Sequence, residues 1–444
     1  MPLSLSPSAQ RFEESPTLAI NERVRRLTAE GRTVYQMGFG ESRFPVHPKI
    51  LDALREHATA RSYTPVAGFP ELRSAIAGFY TREFRLATTP EQVIVGVGSK
   101  SLLFALVRAL EGDVLLPRPS WVSYAPQALV ADRRVTWIDT RAEDEYCLTA
   151  DGLAAGLVQA RKAGQQPQIL ILNSPGNPTG VVYPAGTIEE LAEVARYNDI
   201  AVISDEIYAL INHFDSAQCR HCERPHVSIA TYYPEGAFVT GGLSKHHSLG
   251  GWRFGLTVVP AGEAGTRVMQ ALTAIAGAVW SSPAAPVQHA ATVAYSDDSD
   301  IAAYVQTCSA IHAAVTQELY THLVGAGIPC PRPSGAYYLY PNFNEWAEAL
   351  RRRYNVATSD DLAALLLDEY GIATLPGTAF GARAGDLSLR LSTSYLSAQD
   401  DAHAVAVLAA YAEAPGTVEF VRSACPDVLE VGRRLRMFVE RLSD

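Results

Sequence analysis

From about residue 72 onward, stretches with helical spacing alternate with short apolar runs rich in β-branched residues. The runs are VIVGV from Val93, DVLLP from Asp113, QILILN from Gln168, AVISDEI from Ala201, AFVTGG from Ala237 and FGLTVVP from Phe254. Runs with no polar face, separated by segments long enough for a helix, predict a largely parallel sheet covered by helices on both sides, so the fold class is α/β. Several runs end in polar or glycine-rich clusters (GVGSK, NSPGNPTG, SDEIY, GGLSK). Sheets of this kind bind ligands beyond the carboxyl ends of their strands, which is where a site is expected.

After about residue 295 the pattern changes to longer helical stretches, with strand candidates only around AYYLY at Ala336 and LSLRLS at Leu387. This predicts a smaller α+β domain formed by residues 295–444 together with the N-terminal forty, beside a large domain over 41–294. Beyond Tyr395 the spacing predicts two helices, about 398–412 and 426–441, separated by a turn at Pro415 and Gly416.

Composition narrows the function. Over 444 residues, 48% apolar and 19% charged describe a globular chain with ample core for two domains. A net charge of -10, with no basic run, argues against nucleic acid and for small-molecule partners. The N-terminus has no basic segment followed by an apolar one, and no apolar stretch reaches membrane-spanning length. Six cysteines (Cys147, Cys219, Cys222, Cys308, Cys330 and Cys425) are too sparse for a disulfide framework, and a cytoplasmic location is expected.

Three segments carry candidate chemistry. In GGLSKHHSLGGWRFG, Lys245 follows an apolar strand inside a small-residue loop, where its amine could form an imine, although most lysines are solvated surface groups. In AVISDEIY the strand delivers Asp205 at its carboxyl end. A carboxylate buried there requires a cationic partner, and a protonated pyridine nitrogen would serve; a helix-capping aspartate is the plainer alternative. NSPGNPTG, residues 173–180, is dense enough in Asn, Pro and Gly to demand an ordered turn, and Asn177 together with the Tyr208 hydroxyl would suit a phenolic oxygen.

In residues, order and spacing these segments resemble the class I and II aminotransferases of the fold-type I enzymes dependent on pyridoxal 5'-phosphate (PLP), from about Ser15 to about Tyr395. The resemblance implies a PLP enzyme in which Lys245 forms the Schiff base and carries the proton, Asp205 faces the pyridine nitrogen, and Asn177 and Tyr208 bind the phenolic oxygen. Ser99, Lys100 and Arg253 would hold the phosphate, Trp121 of PRPSWVSY would stack on the ring, and Arg390 of RLSTS, with Gly40, would receive the substrate. It also implies a homodimer in which Tyr63 of SYTPVAGFPELR reaches the partner's phosphate, and amino acid and 2-oxo acid substrates. Where the family has GEPDF this chain reads GESRF, losing a proline at Ser42 and placing Arg43 at the expected mouth of the site. His246 and His247 follow the lysine and are either added acid/base groups or packing residues.

In the stretch 213–228, Cys219 and Cys222 with His213, His221 and His226 could ligate zinc, but no second CxxC completes a four-ligand set and a polar loop with no metal is expected. Two other functions share the same residues. One is a PLP enzyme of elimination, replacement or carbon–carbon bond formation, for instance on an S-adenosylmethionine-like substrate, and the other is a non-catalytic PLP-binding regulator.

Overall fold

The computed structural model describes residues 3–5, 16–213 and 226–443. Its twelve strands are β1 (Tyr35–Gln36), β2 (Val93–Gly96), β3 (Asp113–Arg118), β4 (Val135–Asp139), β5 (Pro167–Asn173), β6 (Ala201–Asp205), β7 (Ala237–Gly242), β8 (Gly255–Val258), β9 (Tyr338–Leu339), β10 (Ile372–Ala373), β11 (Leu375–Pro376) and β12 (Leu389–Ser392).

A seven-stranded sheet has the order β2-β8-β7-β6-β5-β3-β4, with β8 antiparallel to both neighbours and the other pairs parallel. Two antiparallel contacts in succession restore direction, so β2 runs the same way as β7 and six strands present their carboxyl ends at one edge. Every predicted apolar run became a strand of this sheet. β4, of sequence VTWID, went unpredicted because it lies at the sheet edge, where only alternate residues are buried and the apolar signal is diluted. Helices cover both faces: Leu102, Leu103 and Leu106 of Ser99–Ala109 pack with Ile94, Leu116, Ile171 and Ile203. Leu153 and Leu157 of Ala150–Lys162 and Leu191 of Ala185–Tyr197 pack with Leu170, Leu172 and Val202. Alternate residues of one strand thus serve opposite faces.

A second core gathers Met37 and Phe44 with residues from Cys308 to Leu442. It surrounds a three-stranded antiparallel sheet, β11-β12-β9, and the parallel pair β1-β10. The long helix Ser299–Gly325 presents Ile311, Val315, Leu319 and Leu323 to it at spacings of four. The C-terminal tail belongs to this core. Val428, Val431, Leu435, Phe438 and Leu442 of the helix Asp427–Ser443 form an i, i+3, i+7 stripe against it. The two helices expected after Tyr395 are three, because Val418–Ala424 forms a further short helix, capped by Thr417, in the expected turn region. No helix among the described residues is long and apolar enough to cross a membrane.

Candidate active site

The sheet topology gathers residues that the sequence scatters. The shared edge receives Gly98 and Ser99 after β2, Trp121 after β3, Asn177 after β5, Asp205 at the end of β6 and Lys245 after β7, while β8 departs from it just after Arg253. The pairing of Asn173 with Asp205, Asp205 with Thr240, and Gly255 with both Gly242 and Gly96 sets these ends level with one another.

Asp205 is 3% exposed. Its carboxylate accepts the Tyr124 hydroxyl at 2.7 Å and the Ile207 N–H at 3.3 Å. Burial lifts its pKa to about 6, even though these hydrogen bonds and the charge of Lys245 act to lower it. The neighbouring Glu206 is equally buried but has partners of its own, taking hydroxyls from Ser204 at 2.8 Å and Ser228 at 2.6 Å and lying 3.0 Å from His226 Nε2. Among the described residues, Asp205 therefore has one neutral hydroxyl and one amide, and no cation in direct contact.

Cations collect at the β2–β8 side. Gly98 has φ +86° and immediately precedes the helix Ser99–Ala109; a Cβ there would stand 2.2 Å from Arg253 Nη2. A Cβ on Gly255 would stand 2.1 Å from the Ser99 nitrogen, so both glycines allow the guanidinium and β8 to press on the helix N-terminus. Lys100 Nζ sits 5.0 Å from the centroid of the Trp121 ring. Its pKa is lowered first by burial and then by the charges of Arg253 and Lys245. Cations that repel one another beside a helix N-terminus are an arrangement that suits an anion.

Lys245 Nζ donates to the Gly40 carbonyl at 2.7 Å and lies 5.4 Å from the Tyr208 ring centroid. Gly40 has no room for a side chain, since its Cβ would fall 2.0 Å from the Tyr338 hydroxyl. That hydroxyl is 2.7 Å from the Tyr208 hydroxyl. Arg390, in β12, is 4% exposed, so it is not in a surface ion pair. Its Nη2 donates to the Gly38 carbonyl at 2.6 Å, its Nη1 is 3.5 Å from Asn177 Oδ1, and its guanidinium carbon lies 4.9 Å from the Tyr338 ring centroid and 5.3 Å from that of Phe380. Arg390 Nε is buried and has no partner among the described residues. Asn177 is held by its own N–H bonding Asn173 Oδ1, and Asn173 bonds the Asp205 carbonyl.

Other expected residues lie apart from this cluster. Tyr63 is 98% exposed and stands in solvent. Arg43 stacks over the Tyr395 ring at 5.0 Å and hydrogen-bonds the Gln399 carbonyl, which ties its charge to the second core. The His246 and His247 ring centroids lie 4.6 Å apart with the planes tilted by 57°, and burial pushes both pKa values down, that of His246 to about 4. Of the candidate zinc ligands, His213 donates to the Ala336 carbonyl at 2.7 Å and His226 meets Glu206; Cys219, Cys222 and His221 lie outside the described residues. Neither Tyr124 nor Tyr338 carries a local signal, because their partners Asp205 and Tyr208 are 81 and 130 residues away.

Comparison with known proteins agrees with this geometry. Residues 32–408 match the family described as Aminotransferase class I and II. The chain is 34% identical over 389 residues to an aspartate aminotransferase of Bacillus sp. (strain YM-2), covering 85% of this chain and 92% of the relative. It is 31% identical over 396 residues to an aspartate/prephenate aminotransferase of Thermus thermophilus, covering 88% and 94%. The solved structure of Thermus thermophilus aspartate aminotransferase with maleate superimposes with a TM-score of 0.79 at 27% identity, over 97% of this chain and all of that one. The gathered lysine, buried carboxylate and cation cluster therefore sit in a chain that belongs to the class I and II aminotransferase family, a PLP-dependent transferase of amino groups.

Proposed function

We propose that Lys245 is the residue to which PLP is attached, and that its amine, once released by an incoming amino acid, takes the proton from the substrate α-carbon and returns it on the cofactor side of the reaction. The observation that carries this reading is the pair of uncompensated charges within electrostatic reach of Lys245, the buried Asp205 carboxylate and the Lys100/Arg253 cations. The residues suit the cofactor at both ends. Asp205 supplies the counter-charge for a protonated pyridine nitrogen, and Ser99, Lys100 and Arg253 at the helix N-terminus suit its phosphate. When bound, PLP supplies an electron sink for the substrate α-carbon.

The remaining work belongs to the chain. Trp121 offers a ring face for stacking, while Asn177 and Tyr208 offer donors for the phenolic oxygen. Arg390 Nε, buried without a partner, is a ready donor to a substrate α-carboxylate, and the Gly40 carbonyl restrains the Lys245 amine. L-Aspartate, the amino donor in the names of two relatives, is the donor this reading favours, with a 2-oxo acid as acceptor.

Lys245→Ala is expected to hold no borohydride-fixable PLP and to lose about four orders of magnitude in transamination of L-aspartate. Undiminished turnover by that variant would end the assignment. Release of a leaving group in place of an oxo acid would favour elimination or replacement.

The solvent-exposed Tyr63 supports a homodimer in which it completes the partner's phosphate site, to be checked by light scattering for twice the mass of one chain. The separate cores support residues 41–294 as the cofactor-carrying domain and 1–40 with 295–444 as the second. Unpaired Cys147, Cys308, Cys330 and Cys425 support a reducing cytoplasm, which fractionation of the native cell would test.

A further inference from the structure

Behind the lysine loop runs a buried chain of hydrogen bonds that the reaction does not itself require. Ser248, three residues past Lys245, has φ +58° and its N–H closes on the Lys245 carbonyl at 3.3 Å. Its hydroxyl lies 2.7 Å from the Ser42 hydroxyl. Ser42 in turn lies 3.0 Å from His312 Nε2, and His312 Nδ1 lies 3.1 Å from the Ser397 hydroxyl. Ser397 donates to the Ser394 carbonyl at 3.0 Å.

The direction of every bond follows from the last one. Because Ser397 spends its proton on a carbonyl, it can only accept from His312, so Nδ1 carries the hydrogen and Nε2 is the acceptor. Ser42 must then donate to Nε2 and accept from Ser248. The imidazole, 1% exposed and facing Phe44 and Tyr337 with His213 as a neighbouring titratable group, is held neutral by burial, which this arrangement needs. The chain joins the lysine loop to the segment 40–44, and both to the helix Ser299–Gly325 of the second core. Two residues before Ser42 stands Gly40, whose carbonyl accepts Lys245 Nζ and the Tyr337 hydroxyl. The two backbone segments that meet at the lysine amine are thus fastened together at a second point.

We propose that Ser42 and His312 are positioning residues for Lys245, forming a directed relay that fixes the Gly40 segment against the lysine loop and so holds the amine in place for cofactor capture and proton transfer. This rests on Lys245 being the residue that binds PLP. A purely structural relay would add stability and leave the chemistry at the amine alone; a positioning relay changes how the amine is presented.

The test uses the full-length protein, freed of cofactor and then mixed with PLP. Ser42→Ala is expected to slow PLP capture about fivefold, the factor that one neutral hydrogen bond is worth. It should also weaken the visible circular dichroism of the bound chromophore and lower kcat by a similar factor with KM little changed. Ser42→Thr, which keeps the hydroxyl, is expected to restore all three. If Ser42→Ala does not fold, Ser248→Ala at the half-buried end of the relay gives the same readouts. A lowered melting temperature with capture rate, dichroism and kcat at wild-type values would overturn the proposal, as would unchanged values throughout. Borohydride-fixed PLP persisting in Lys245→Ala would instead overturn the assignment of the lysine, a separate failure from that of the relay.

Discussion

The two ends of the site are built by opposite means. At the β6 end the Asp205 carboxylate is buried, its pKa driven up by loss of water and only partly restored by the Tyr124 hydroxyl and one amide. At the β2–β8 end, cations and backbone N–H groups stand at a helix start, pressed close by Gly98 and Gly255. The first is a charge sequestered from solvent, the second a set of charges that repel one another in partial contact with it. Neither is balanced among the described residues. The difference favours a rigid ligand that is cationic at its buried end and anionic at its outer end, which is the charge pattern of protonated PLP.

That contrast can be broken at either end. The largest effect is expected from Asp205→Asn, which removes the buried counter-charge and should cut transamination about a thousandfold while the protein still folds. The same variant has an opposite effect without cofactor. The folded pKa of Asp205 lies at about 6 against 3.8 ordinarily, so the folded state holds this proton more tightly, and stability is lost as pH rises between those values. Cofactor-free Asp205→Asn should therefore melt higher than wild type at pH 8 and no higher at pH 4; a gain at pH 4 as large as at pH 8 would contradict this origin.

At the other end, Arg253→Ala should weaken PLP affinity about thirtyfold, the worth of a charge-assisted contact, with a smaller effect on turnover at saturating cofactor. Equilibrium dialysis would read it, and unchanged affinity would remove Arg253 from the phosphate site. The smallest effect is expected from Tyr124→Phe. Loss of one 2.7 Å hydrogen bond to the carboxylate should raise the pKa of Asp205 further and lower kcat about tenfold, with the pH profile of activity moved to higher pH. A profile that does not move would show that Tyr124 only packs.

The strands of the large sheet were legible because a strand buried on both faces must be apolar throughout, and Lys245, Asp205 and Asn177 were legible because they follow such runs directly. Arg390 was found only through its family motif, and its burial beside Tyr338 and Phe380 has no local signal. The contacts of Arg43, whose long side chain reaches the Tyr395 ring and the Gln399 carbonyl, likewise have no local signal. The short helix Val418–Ala424 was hidden by the neighbouring Pro415 and Gly416, which end one helix without forbidding another to start at the Thr417 cap.

The sequence by itself determined the periodicities, the order of strands along the chain and the chemical kinds of side chain at their ends, since these depend on near neighbours and on burial of apolar faces. Only the tertiary structure decided that six strands share a direction, that Tyr124 meets Asp205, that Tyr338 both excludes a side chain at Gly40 and bonds Tyr208, and that Ser42 and His312 join the lysine loop to the second core. Those contacts span from 81 to 298 positions or stand on separate elements. The energies that select them come from packing and desolvation in three dimensions, which leave no periodic trace in one.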